Sequence, residues 1–127
     1  MFDLESYGIP YSYSPVLAVD KDKISMRRQA YFDFLRATRK GFFYAQKHPE
    51  ESAEILLELV PFNDRSIDFV KSIKMTTAVI GKLDNWGEMN LERVSDFLFW
   101  LKDSKLEDVH YDADQLVSNE LLSMFTV

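Results

Sequence analysis

The chain has 127 residues, of which 46% are apolar and none is cysteine. A chain of this length fits one domain with a core of its own, and the missing thiols exclude a disulfide, a thiolate nucleophile and a Cys-ligated metal. The net charge of −6 and pI near 4.9 exclude long-range attraction to nucleic-acid phosphates or anionic lipid.

Four glycines, four prolines and 28% charge also exclude collagen-like, low-complexity and disordered classes. Met1-Phe2-Asp3-Leu4-Glu5 has no basic or apolar leader pattern, and the apolar runs fall far short of the ~20 residues that span a bilayer. A soluble chain is expected. The local basic run of Arg27, Arg28, Arg36, Arg39 and Lys40 reads as a solvated helix face.

From Tyr7 to Asp20 the chain reads as extended, because Gly8, Pro10 and Pro15 oppose a helix. Val16-Leu17-Ala18-Val19 is the pattern of a short buried strand, ended by a polar turn at Asp20 to Lys23. Ser25 is a candidate cap for a long helix from Met26 to Lys47, with Tyr31, Phe34, Leu35, Thr38, Phe42 and Ala45 on its inner face. Gly41 inside it predicts a packing requirement or a kink.

Pro49 suits the first position of a second helix to Val60, with Glu50 and Glu51 at its positive end and Pro61 after it. That helix is expected to bury Ala53, Leu56, Leu57 and Val60. Asn63 or Asp64 is expected to cap a third helix carrying Ile67, Val70, Ile73 and Thr77 and ending near Gly81. Lys82 to Met89 reads as a loop. Asn90 caps a fourth helix, Leu91 to Lys102, with Val94, Phe97, Leu98 and Leu101 inward. Asp112 and Gln115 have capping-box spacing ahead of a last helix from Ala113 to about Phe125. The fold class expected is mostly α, about five helices with one short N-terminal strand. Residues 1–24 form an extended hinge or strand segment, and residues 25–127 the helical portion of a single domain.

Catalytic chemistry is sparse. His48 and His110 have no ligand-spaced partner and no nucleophile beside them. The acidic groups Glu50/Glu51/Glu54, Glu107/Asp108 and Asp112/Asp114 sit where helix starts favour negative charge, and none follows a calcium-loop pattern. There is no phosphate-cradling glycine loop, nucleophile elbow or zinc-protease helix. No catalytic residue, metal site or cofactor is expected. Two aromatic groups stand out. Tyr7, Tyr11 and Tyr13 cluster in extended chain, where they either pack along a strand edge or wall a planar ligand. Trp86, in a loop beside Gly87 and Glu88, reads either as a lid over the chain's own core or as a stacking platform. Trp100, within a periodic helix, reads as packing or interface.

Several segments together resemble one family. They are Tyr7-Gly8-Ile9-Pro10 with Ser14-Pro15-Val16-Leu17, then Phe34-Leu35-Arg36-Ala37-Thr38-Arg39-Lys40-Gly41, and His48-Pro49-Glu50-Glu51-Ser52-Ala53-Glu54-Ile55-Leu56. Trp86-Gly87-Glu88-Met89 and Ser118-Asn119-Glu120-Leu121-Leu122 complete the set. The pattern resembles the C-terminal part of the substrate-binding proteins for thiamine-pyrimidine precursors and riboflavin. These share the type II periplasmic-binding fold with thiamine-pyrimidine synthases.

The resemblance implies the rear portion of a two-lobed α/β protein, binding a flat nitrogen heterocycle through Tyr11, Tyr13, Trp86 and Glu88. It implies an ABC permease as partner of the full-length protein and an extracytoplasmic location if the parent is exported. The synthase branch relies on a histidine, a cofactor-bearing lysine and a cysteine-rich segment. None is identifiable in this sequence, so the enzyme is the alternative reading. A further alternative is a non-enzymatic helical protein forming a homodimer through Phe42-Phe43-Tyr44 and Trp100.

Overall fold

The computed structural model describes residues 4–10, 13, 16–61, 66–79, 85–108 and 111–126. Five helices follow in chain order: α1 (Arg28–Lys47), α2 (Pro49–Leu59), α3 (Phe69–Val79), α4 (Leu91–Asp103) and α5 (Ala113–Leu116). Single turns of 3-10 helix occupy Glu5–Tyr7, Lys21–Lys23 and Leu122–Thr126. The mostly α reading therefore stands, and none of these helices is long and apolar enough to cross a membrane. The chain forms two compact units: Met1–Arg28 with Glu88–Val127, and Gln29–Gly87.

The expected strand is absent among the described residues. Residues 16–20 adopt no regular structure, and Val16, Leu17 and Val19 are exposed. A strand needs a neighbouring edge for its backbone hydrogen bonds, and no described segment supplies one. Asp20 instead starts a turn, its Oδ1 accepting the Asp22 N–H at 3.1 Å. The turns continue through Arg27, whose N–H donates to the Lys23 carbonyl at 3.0 Å, so α1 begins at Arg28 and not Met26.

In the second unit, α2 and α3 pack against each other. The α2 chain direction is set by Pro49 at its first turn, and it ends at an extended Val60. Asp68 caps α3, its Oδ1 accepting the Lys71 N–H at 2.9 Å. The expected caps Asn63 and Asp64 lie outside the described residues, as does Gly81. Ala53, Ile73 and Thr77 are buried as the periodicity requires, but Ile67 and Leu56 are exposed. Ile67 precedes the helix and so has no inner face to share. The buried Thr77 hydroxyl donates back to the Ile73 carbonyl at 2.8 Å, while the buried Ser52 hydroxyl has no hydrogen-bond partner among the described residues.

Helix α1 buries no residue completely, and Phe34, expected inward, is 57% exposed. Gly41 lies within an unbroken helix, and a Cβ there would meet nothing within 4 Å, so neither a packing requirement nor a kink explains it. Two charge contacts tie this unit together at its surface. Lys74 Nζ donates to Glu50 Oε1 at 2.7 Å, which holds the Glu50 carboxyl below the usual carboxylate range. A hydrogen bond to the Glu51 carboxylate, reinforced by burial and charge, raises the Tyr44 phenol above its ordinary value.

In the first unit, α4 packs on α5, burying Val94 and Ala113. Asn90 caps α4 as its position predicts, with its Oδ1 accepting the Arg93 N–H at 3.2 Å. The Asp112/Gln115 capping box is present. It starts a helix of only 4 residues, however, because Val117 turns extended. The last helix is thus shorter than expected, and the chain closes in a 3-10 turn.

Gly41→Ala is expected to raise stability by about 1 kcal/mol, since alanine removes unfolded-state freedom at a site with open space. Ile73→Ala is expected to lower it by about 2 kcal/mol. Urea denaturation followed by circular dichroism reads both. Because the folded Glu50 carboxyl titrates below its unfolded value, its contribution is complete above the unfolded value. It is lost as pH falls through the folded one. Glu50→Gln is therefore expected to flatten the acid limb of the melting-temperature profile.

Candidate functional site

The N-terminal segment of the first unit is shaped by its own turn chemistry. The 3-10 turn at Glu5–Tyr7 ends at Gly8, whose φ of 75° lies in the left-handed region that glycine adopts without penalty. The Gly8 N–H donates to the Glu5 carbonyl at 3.0 Å and the Ile9 N–H to the Leu4 carbonyl at 3.1 Å. The chain then turns away as a half-buried Ile9-Pro10 pair.

Tyr13 is the anchor of this segment. Its hydroxyl accepts the Asn90 N–H at 2.9 Å, at the very start of α4. That N–H is one the helix itself cannot satisfy. The Arg93 guanidinium, one turn further along, lies 5.8 Å from the Tyr13 ring centroid, within cation–π range. Arg93 also reaches Glu5 Oε1 at 3.5 Å. One tyrosine is thus held at its tip by a helix terminus and on its ring by a cation of the same helix.

A cleft of about 410 Å³ opens beside this anchor. Gly8, Ile9 and Pro10 supply a small, apolar wall, and Glu92, Arg93 and Asp96 of α4 supply a polar one. With Glu5 also at its edge, carboxylates outnumber the guanidinium. Such a lining suits a flat ligand that presents N–H donors or a positive charge and rejects an anion.

The strand-like passage into α4 is fixed by a residue from the end of the chain. Asn119 Oδ1 accepts the Met89 N–H at 3.0 Å and Asn119 Nδ2 donates to the Met89 carbonyl at 2.8 Å. The amide thereby substitutes for a second backbone strand. The next residue, Glu120, forms an ion pair with Arg28, tying that residue to the same terminal stretch.

The four residues expected at a ligand divide among different settings. Tyr13 is half-buried and anchored as described. Glu88 is exposed in the same unit. Trp86 belongs to the other unit, where it is buried with its ring 5.9 Å from that of Phe42. Tyr11 lies outside the described residues, as does His110. Tyr7 is exposed. His48 stands at the cap position of α2 without a side-chain cap bond, its ring 4.7 Å from Tyr44. Among the described residues no group of three His, Cys, Asp or Glu side chains could hold a metal ion.

Sequence reasoning missed Arg93 and Asn119. Arg93 occupies an ordinary polar position of a helix, and nothing local marks it as a lid on an aromatic ring. Asn119 lies in a segment expected to be helical, where an asparagine gives no hint of a distant backbone partner.

Asn119→Ala leaves the Met89 N–H and carbonyl without their partner, and is expected to cost about 1–3 kcal/mol. Asn119→Asp retains only the acceptor half and is expected to fall between. Thermal unfolding of the two variants against the parent measures the difference.

No curated protein and no solved structure matches the chain. Residues 1–52, which include the Gly8 turn and Tyr13, match the family described as NMT1/THI5 like. The match stops at residue 52 of 127, so the likeness is one of that N-terminal stretch.

Proposed function

We propose that this chain is a substrate-binding component, or the C-terminal part of one, of an ABC importer for a thiamine pyrimidine precursor, riboflavin or a similar flat heterocycle. The observation that carries the reading is the family match over residues 1–52. It covers the Tyr-Gly-Ile-Pro segment and the tyrosine that α4 grips. The cleft beside Tyr13 adds support, because its carboxylates are acceptors for the ring amino groups of an aminopyrimidine. Binding needs no catalytic group, and the reading assigns none. An imported ligand would be met outside the cytoplasm, and the full-length protein would then dock on a permease.

In this reading Tyr13 orients the ligand, with Arg93 and Asn90 keeping its ring in place, and Glu88 is a second polar contact. Tyr11 and Trp86 are the remaining positions carried over from the family resemblance. Calorimetric titration with an aminopyrimidine and with riboflavin is expected to give saturable binding. Tyr13→Ala should weaken it at least tenfold, about 1.4 kcal/mol, with helicity retained. If Trp86→Ala leaves affinity unchanged but lowers the melting temperature, the tryptophan is a core residue only. Absence of saturable binding by both ligands, to this chain and to a longer natural one, overturns the proposal. A covalently held cofactor with visible absorbance in the purified protein would favour the synthase branch instead.

A further inference from the structure

Helices α1 and α4 each keep an exposed strip of apolar and small residues, with a row of like charges along one edge. On α1 the strip is Phe34, Ala37, Gly41 and Tyr44, at alternating three- and four-residue spacing. Phe34 is 57% exposed, and the place of a Gly41 Cβ is open space. Arg36, Lys40 and Lys47 are exposed along the edge of this strip. On α4 the strip is Leu91, Ser95 and Phe99 at four-residue spacing, with Phe99 69% exposed. Glu92, Asp96 and Asp103 are exposed along its edge. Both charge rows step by four and then seven residues, cationic on α1 and anionic on α4. One carboxylate of α1, Asp33, stands by the cations and is held by Arg36 at 2.8 Å. Glu51 of α2 is engaged by the Tyr44 hydroxyl at the far end. One cation of α4, Lys102, stands across the strip from the carboxylates, while Arg93 lies off this face and reaches Glu5.

We propose that the chain self-associates through these two faces, with α1 of one copy lying parallel along α4 of a second copy. The occupant follows from the sign, spacing and side of the two charge rows. Successive residues of a helix turn by about 100° in one sense. The cations precede strip residues by one position, Arg36 before Ala37 and Lys40 before Gly41. The carboxylates follow them by one, Glu92 after Leu91 and Asp96 after Ser95. When parallel helices face each other, the leading side of one meets the trailing side of the other, so both rows fall on the same side of the contact. Equal spacing then sets Arg36 against Glu92, Lys40 against Asp96 and Lys47 against Asp103 in a single register. In that register Phe99 comes level with the step between Gly41 and Tyr44, where glycine leaves room. Two copies of α1 face to face would oppose cation to cation, and two of α4 carboxylate to carboxylate. Exposed charge pairs are weak singly, and here they fix register and direction. Helix α4 has 13 residues, so the shared length is only about 20 Å. The contact accordingly belongs to the small, exchanging class of interface. Of the aromatic residues expected at an interface from sequence, Tyr44 lies on this surface. Phe42 faces Trp86 instead, and Trp100 stacks on Phe97 with centroids 5.9 Å apart.

Sedimentation velocity of the 127-residue chain from about 5 to about 500 µM tests the proposal. It is run without ligand, because Glu92 and Asp96 also border the cleft beside Tyr13. Reversible association that weakens with added salt is expected. Lys40→Glu with Lys47→Glu, and Asp96→Lys with Asp103→Lys, should each weaken it by about tenfold or more. An equimolar mixture of these two double variants should recover most of it, since each then meets a face of opposite sign. The single changes Lys47→Ala and Asp103→Ala should act in the weakening direction, and Lys71→Glu on α3 should leave association unchanged. Circular dichroism checks that every variant keeps its helicity. A chain that stays monomeric at the top of that range overturns the proposal. So does association lost in only one of the double variants, or a mixture no better than its components.

Discussion

Scarcity of buried apolar volume is the constraint under which both units of this protein hold together. Among the described residues, the buried apolar ones are Ala53, Ile73 and Trp86 in one unit and Val94 and Ala113 in the other, and no large side chain is fully buried. Burial of one medium-sized apolar side chain contributes about 1.5–3 kcal/mol, while ordering each backbone residue costs about 1–2 kcal/mol. Packing of this kind leaves the geometry to be defined largely by directional contacts. Caps, amide clasps and a few charge pairs do that, each satisfying a backbone group that the local fold leaves open.

The first unit shows how such contacts accumulate at one place. The N-terminus of α4 offers unsatisfied N–H groups. Asn90 takes one through its own side chain, and the Tyr13 hydroxyl takes the Asn90 N–H itself. Arg93 then covers the Tyr13 ring, and Asn119 pins Met89 immediately upstream. Four residues from three distant parts of the sequence converge on the first turn of one helix. The segment that carries the family likeness is therefore positioned by a helix outside the matched stretch, and the cleft beside Tyr13 is a product of both.

The second unit uses charge differently. Glu50 and Lys74 bridge α2 and α3 across the surface, an interaction that contributes little in water taken alone. Its larger effect is geometric, since it links the first turn of α2 to α3. The buried hydroxyls show the same economy of partners. Thr77 satisfies itself on the preceding turn, while Ser52 has no hydrogen-bond partner among the described residues, inside a helix that the NMT1/THI5-like match reaches only at its start.

The amino-acid sequence by itself determined where helices start and what interrupts them. Pro49, Asn90 and the Asp112/Gln115 pair act on backbone groups within four residues, so their effect is legible without knowing any neighbour. The tertiary structure alone decided which faces are covered. Phe34 has the spacing of a core residue and stays exposed. Val16 to Val19 has strand composition yet forms no strand, since a strand is defined by a second edge and not by its own side chains. Tyr13 was recognisable as an aromatic candidate, but its grip by Asn90, 77 positions away, was not. Trp86 could be read either way from its loop, and contact with Phe42 resolved its immediate surroundings. Local hydrogen bonding writes itself into short spacings, whereas burial and long-range clasps depend on which surfaces the folded chain brings together.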